Sequence, residues 1–218
     1  NRRSRGLGDV YKRQVMGVLN TDSIAYVTGK MIESLGGKVI WTAQNERMKK
    51  IFFDRGCKDL TDDEKSAMNF HYCDVTIDQE VNDLFSDIGP INGVLHSIAF
   101  ANPKTCLGGE ELYTEATNDI LQGFHISAAS LATVAHYAVP NMKEGGSIVT
   151  LSFEGQRPFP YYNWMGVRSE LLEILLKLEN LDKNNLCLFK KTHPFKYLPV
   201  SSRRVQQFID LSLIPKPC

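Results

Sequence analysis

The sequence predicts an α/β domain, a doubly wound parallel sheet, incomplete at both ends. Three observations predict it. Short apolar, β-rich runs alternate with helix-like segments from Val15 to Ser152. The run Gly93–Ala99 is almost continuously apolar, as a strand buried on both faces must be. The first strand leads through Gly17 into a serine-capped helix, the connection used by parallel β-α-β units with right-handed crossovers. Together these give a Rossmann-like architecture.

The elements follow in order. Val15-Met16-Gly17 reads as the end of an apolar strand. Asp22 or Ser23 caps a helix to about Leu35, with Ile24, Met31, Ile32 and Leu35 apolar, and Gly36-Gly37 stops it. Lys38–Thr42 is a strand, Glu46–Phe53 a helix, and Phe70–Val75 a strand. Asp62-Asp63-Glu64 reads as a solvated helix start. Asp78–Phe85 is helical with Val81, Leu84 and Phe85 inward. A long helix, Asn118–Val139, ends at Pro140, and Ser147–Ser152 is the next strand.

The 218 residues, 43% hydrophobic and 23% charged, suit one soluble domain. No apolar run is long enough to span a bilayer, and a cytoplasmic protein is expected. Cys57, Cys73, Cys106, Cys187 and Cys218 have no metal-like or disulfide-framework spacing, so reduced thiols and no metal are expected. The zero net charge hides three regions: +4 over residues 1–14, −8 over 15–166 and +4 over 167–218. Basic ends can bind nucleic acid. No such partner is expected here, because both ends differ in character from the middle.

Residues 4–14 resemble the translation of a sequencing-library adapter, and Asp9 to Gln14 reads back as a transposon end. A targeting arm, the rival reading, would need an apolar core or an amphipathic pattern, and neither is present. Residues 1–14 are therefore expected to be artefactual or disordered, with most of a first strand missing. At the other end, all sixteen glycines lie at or before Gly166 and no alanine follows Ala138. An α/β domain needs glycines at its turns and helix ends. Two readings stand, a genuine but divergent tail and a translated frameshift near Val167–Glu173, and the frameshift explains the loss of both residue types more simply. The expected division is 1–14, a domain over 15–173, and an unrelated tail over 174–218.

Several residues could hold a nucleotide. Gly17 allows a tight exit from the first strand, and the amides of Ser23 and Ile24 open a helix whose N-terminus favours an anion such as a pyrophosphate. This loop lacks the usual three glycines. Asp74-Val75, closing the third strand, could bracket an adenine, carboxylate to amine and valine to ring. Gln44 stands past the second strand, where an adenosine ribose would sit. Arg47 could meet a 2′-phosphate, but one helix arginine is usually only solvated. His96 reads as a satisfied core residue, and His125 and His136 as packing or surface groups.

Residues 152–169 contain the candidate chemistry. Tyr162 follows an apolar strand at the start of a helix, where a reductase keeps its proton donor. A lysine seven residues on would share its helix face, since seven steps of about 100° return to within about 20°. That position is Ser169.

These motifs together resemble the NADH-dependent enoyl-acyl-carrier-protein reductases of the short-chain dehydrogenase/reductase superfamily. The matching pieces, in family order, are Gly17-x5-Ser23-Ile24-Ala25, Cys73-Asp74-Val75, His96 to Ala101, His125-Ile126-Ser127-Ala128, Gly145 to Val149 and Pro160 to Gly166. Phe153 with Asn163-Trp164-Met165 is similar to the branch that includes the mycobacterial enzymes. The resemblance implies an NAD-binding reductase domain over 15–173. NADH would reduce a trans-2-enoyl thioester, on acyl-carrier protein or coenzyme A, in fatty acid elongation. Tyr162 would stabilise the enolate oxygen. Phe153 would shape the substrate side, Ile98 would pack beside the nicotinamide, and the backbone of Ala101 would lie near substrate. The family is usually homotetrameric, built on long helices such as Asn118–Val139. The family's lysine binds the nicotinamide ribose, and Ser169 cannot supply its charge, so the chain as written is expected to be impaired. Two alternatives stand beside this reading. One is a non-catalytic dinucleotide-binding remnant. The other is a carbonyl-reducing short-chain dehydrogenase, which needs a lysine four residues after the tyrosine, where Gly166 stands, and a catalytic serine, for which Ser152 is the candidate.

Overall fold

The structure, a computed structural model, describes residues 11–106, 117–142, 146–151 and, as backbone, 186–189. Six strands form one parallel sheet in the order β3-β2-β1-β4-β5-β6. They are β1 (Lys12–Met16), β2 (Lys38–Ala43), β3 (Phe70–Tyr72), β4 (Gly93–His96), β5 (Gly146–Thr150) and β6 (Leu186–Phe189). The helices are α1 (Ile24–Ser34), α2 (Glu46–Met48), α3 (Asp62–Ala67), α4 (Asp78–Ile88), α5 (Pro103–Cys106), α6 (Thr117–Phe124) and α7 (Ser130–Ala138). The chain winds outward from β1 to β3, returns to β4 on the other side of β1, and winds outward again to β6. The β1/β4 boundary is therefore the topological switch point, where ligands bind at the carboxyl ends of the strands.

Side-chain alternation builds a core on each face. Met16, Ile40, Val94 and Ile148 point to the face covered by α4 and α7, with Val81, Leu84, Phe85, Leu131 and Val134. Val15, Val39, Trp41, Leu95 and Val149 point to the other, against Ala25, Ile32 and Phe53. Gly29 lets α1 seat on Trp41, since a β-carbon there would stand 2.2 Å from the indole ring. Helix α1 starts as its sequence indicates: Ser23 is the N-cap and its hydroxyl accepts the Tyr26 amide. It stops at Gly36, whose φ of +84° is a left-handed conformation that glycine adopts without penalty. Thr61 and Glu64 close a capping box on α3, the helix begun by the acidic run Asp62-Asp63-Glu64.

Several boundaries are corrected. The first strand begins before Val15: Lys12, Arg13 and Gln14 pair with Lys38, Val39 and Ile40, and Arg13 and Gln14 also pair with Gly93 and Val94. Strand pairing is made by backbone groups, so it accepts side chains that the core does not suit. The sheet also continues past residue 173, where Gly146–Val149 pairs with Leu186–Phe189. The third strand stops at Tyr72 and the fourth at His96, so Asp74-Val75 and Ser97–Ala99 belong to loops. The apolar character of Ile98 comes from packing against the core from a loop. The helix expected over Glu46–Phe53 is one α-turn followed by a π-helical turn, Lys49–Asp54. The long helix is interrupted by a second π-turn, His125–Ala129, and closes in a 3-10 turn, Val139–Asn141, around Pro140. Periodicity of 3.6 cannot mark such widened turns. Among the described residues, no helix is long and apolar enough to cross a membrane, and no group of three or more His, Cys, Asp or Glu could hold a metal.

His96 is a wholly buried polar anchor at the end of β4. The single hydroxyl proton of Ser130 goes to the Ile126 carbonyl at 2.7 Å, so the Ser130 oxygen accepts from His96 Nε2–H at 2.9 Å. Nδ1 is left to accept from the Thr150 hydroxyl at 3.2 Å. Burial pushes the His96 pKa down to about 4.

Two predictions follow from these packing facts. The unfolded chain binds a proton at His96 below about pH 6.5 and the folded chain does not until about pH 4. Stability is therefore full above pH 6.5 and falls on acidification through that window, by about 3 kcal/mol. Urea unfolding at pH 7 and pH 4.5 measures the loss, and an equal loss in His96→Gln would refute the assignment. Separately, Gln14 is fully buried in the central strand with Oε1 unpartnered, although its Nε2 donates to Thr42 Oγ1. Gln14→Leu should stabilise the protein by about 1 kcal/mol, seen as a higher urea midpoint. A lower midpoint would show that the Thr42 contact outweighs the orphan.

Candidate functional site

A cavity of about 430 Å³ opens at the switch point, lined by the loops that leave β1, β2, β3 and β4. Three of these loops, those after β1, β3 and β4, are each tied to a neighbouring strand by a backbone bond beyond their own strand. The Val18 amide donates to Thr42, the Cys73 amide to Ala43 and the Ser97 amide to Met16, at 3.4, 3.0 and 3.2 Å. Gly17, Gln44, Asp74, Val75 and Ile98, named from sequence, all line this one cavity. Five residues spread over 80 positions thus meet in one place, as the strand ends of a doubly wound sheet require.

Gly17 sets the floor. Its φ is +90°, and a β-carbon there would lie 2.0 Å from the Ser97 carbonyl oxygen. Only glycine permits both the conformation and the approach. Beyond it, the Asn20 carbonyl accepts the Ser23 amide at 3.1 Å and the Ser23 hydroxyl at 2.7 Å. The Ser23 N–H is thus already used within the turn. The amides of Ile24 and Ala25, first of α1, are the ones that neither the turn nor the cap uses, and they remain for an anion. Neither Ser23 nor Ile24 belongs to the cavity lining, which ends at Leu19 on this side.

Asp74 is the electrostatic centre of the opposite end. Thr76 gives its hydroxyl and its amide to Oδ1 at 2.7 and 3.0 Å, and Gln44 Nε2 donates to Oδ2 at 2.7 Å. Partial burial works to raise the Asp74 pKa, but the Thr76 hydroxyl, Gln44 and the Thr76 amide outweigh it, and the net shift is downward. Asp74 is therefore a carboxylate with its second oxygen only partly satisfied, able to accept from an exocyclic amine. Its own amide is held by Glu80 Oε2 at 2.7 Å, from the first turn of α4. Beside it, burial drives the Cys73 thiol up to about 12, which leaves it an inert apolar filler.

Ala101, the expected substrate-side backbone, lies just beyond the lining, next to Phe100, which is part of it. Arg47 is exposed and belongs to a separate surface depression with Glu46, Lys50, Ile51 and Arg55, away from the cavity. Tyr162 and Phe153 lie outside the described residues. Sequence reasoning missed Met48, Phe52, Gln122 and Ile126, which complete the walls. Met48 and Phe52 carried a usable signal, an apolar pair four apart in the segment expected to be a short helix. Ile126 stood in the motif His125-Ile126-Ser127-Ala128 without a role of its own, and Gln122 carried no signal, because it is an ordinary position of a long helix.

Comparison with known proteins agrees with this geometry. The chain is 37% identical over 169 residues to the NADH-type enoyl-acyl-carrier-protein reductase FabI of Enterococcus faecalis, covering 75% of this chain and 63% of that protein. It is 38% identical over 180 residues to the Bacillus subtilis FabI, covering 79% of this chain and 67% of that one. The chain therefore spans about two thirds of the length of these relatives. A solved Bacillus cereus enoyl-acyl-carrier-protein reductase with NADP+ and an indole naphthyridinone superposes with a TM-score of 0.73 at 31% identity, covering 92% of this chain and 80% of that one. The Anaplasma phagocytophilum reductase in complex with NAD gives 0.68 at 30% identity, covering 78% and 65%. A family model described as enoyl-(acyl carrier protein) reductase matches residues 17–178, and the chain belongs to that family.

Proposed function

We propose that this chain carries the dinucleotide site of an enoyl thioester reductase that uses NADH. The observation that supports it most is the convergence of Gly17, Gln44, Asp74, Val75 and Ile98 on one cavity at the switch point. The residues fit the cofactor. Gly17 lets the loops after β1 and β4 close on each other beneath the cavity, and the Ile24 amide opens a helix toward the diphosphate. Asp74 accepts the adenine amine and Val75 packs on the ring. Gln44 commits one amide N–H to Asp74, which leaves its carbonyl and its second N–H for a ribose hydroxyl. A carbonyl welcomes a 2′-hydroxyl donor and opposes a 2′-phosphate, which favours NADH.

When bound, NADH supplies the hydride for the β-carbon of a trans-2-enoyl thioester. The chain's own residues do the rest. Ile98 and Ala99 form the wall beside the reacting end, and the backbone near Ala101 borders the thioester. Tyr162 donates its hydroxyl to the oxygen on which negative charge develops, and Phe153 shapes the acyl side. The thioester is carried by acyl-carrier protein or coenzyme A, in a cytoplasmic homotetramer.

A second reading is favoured by Ser169, which stands where the family's lysine is expected. In it the chain binds NADH without turning over. The two are separated by fluorescence titration with NADH followed by NADH oxidation with a short trans-2-enoyl thioester. Asp74→Ala should weaken NADH binding by about tenfold or more, the loss of a hydrogen bond to a charged group. If Asp74→Ala binds NADH unchanged, the adenine assignment fails. Ser169→Lys should raise the oxidation rate over the unaltered chain, and adding Tyr162→Phe should lower it again by about 10²-fold. No oxidation by any of these proteins would leave only the non-catalytic reading.

A further inference from the structure

We propose that Ser127 is a positioning residue that sets the nicotinamide end of the cavity through the peptide of Phe100. The inference rests on the cofactor reading above and adds the element that shapes half of the site. Ser127 is almost fully buried, at 9% exposure, in the π-turn His125–Ala129. Its hydroxyl is used twice on one residue. It accepts the Phe100 amide at 2.9 Å and donates to the Phe100 carbonyl at 3.1 Å. A single oxygen thus grips both ends of a backbone unit that belongs to no helix or strand.

The grip is placed where it controls the cavity. Ser97, Ile98, Ala99 and Phe100 form one wall, and Gln122 and Ile126 of the facing helix meet them. The near end of this loop is fixed by His96, whose Nε2–H donates to Ser130, and by the Ser97 amide on Met16. The far end is fixed by Ser127. Residues 127 and 130 are three apart, so both serines face the same strand end. The π-turn is a local widening of the helix, a feature that recurs at functional sites. Here it carries the serine that meets Phe100. The adenosine end hangs from different residues, Asp74, Thr76 and Gln44, with no contact to Ser127.

This separation makes the test specific. Ser127→Ala removes the hydroxyl and leaves the adenosine end untouched. NADH affinity should fall about tenfold, while the affinity for ADP-ribose, which lacks nicotinamide, should stay within about twofold. Ser127→Thr, which keeps a hydroxyl, should recover most of the NADH affinity. In the nucleotide-free protein, amide hydrogen exchange at Phe100 should speed up about tenfold in Ser127→Ala. Unchanged exchange at Phe100, or equal weakening of NADH and ADP-ribose, overturns the positioning role. If the unaltered protein binds neither ligand while Ser127→Ala still releases the Phe100 amide, the clamp stands and the cofactor reading is what fails.

Discussion

The carbonyl oxygen of Ser97 lies against the α-carbon of Gly17, so close that a β-carbon would come within 2.0 Å. This contact joins the loop after the innermost strand to the loop after its neighbour, and the two loops run to opposite sides of the sheet. Between them the chain can form a crevice only if both leave the sheet at the same height. The Ser97 amide on the Met16 carbonyl fixes that height, and the φ of +90° at Gly17 turns the first loop away beneath the second. The cavity walls, the start of α1 and the placement of Ile98 all depend on it. A side chain at residue 17 would separate the loops and strain the backbone together.

Around that contact the two ends of the site are held by different physics. At the end formed by Gln44 and Asp74 the organising group is a charge. Asp74 collects donors from Thr76 and Gln44 and stays ionised despite partial burial. At the end formed by the loop after β4, the described residues hold the site without a charge. His96 is kept neutral by burial, and neutral hydroxyls of Ser127, Ser130 and Thr150 hold the strand end and its loop. A neutral network in low dielectric costs little when every group is paired, and it leaves the field at the reacting end to the ligand. A charge there would act on any anion that develops during reaction.

The fold was legible because parallel strands buried on both faces leave apolar runs that no turn residue interrupts, and because Ser23, Gly36 and Thr61 mark helix ends chemically. Gly17, Gln44, Asp74, Val75 and Ile98 were legible for a related reason. Strand ends in a doubly wound sheet converge, so position after a strand implies position at the crevice. The π-turns were not legible, since one extra residue per turn leaves the composition of a helix unchanged. Ser127 was visible as part of a motif, but its role depends on Phe100, 27 residues away and in no regular element. The pairing of Lys12, Arg13 and Gln14 was not legible, because the ladder is made by backbone groups and their polar side chains give no sign of it.

Strand β1 shows what that difference costs the molecule. It sits at the centre of the sheet, with β2 and β4 on either side, where both faces should be apolar. Val15 and Met16 meet that demand and Arg13 and Gln14 do not. Arg13 is 8% exposed with Nη1 unpartnered, and burial lowers its pKa. Its guanidinium lies over the Tyr11 ring at 5.6 Å, which satisfies part of the charge but not the buried nitrogen. Lys12 reaches out to the Ile88 carbonyl, a partial remedy at the strand's first residue. Three successive long polar side chains in an inner strand are thus tolerated by the ladder and opposed by the core. The conflict is confined to the first half of the strand and ends at Gln14, since Val15 and Met16 are buried and apolar. The backbone ladder of β2 and β4 holds Arg13 and Gln14 in place all the same, because strand pairing is made by peptide groups and not by side chains.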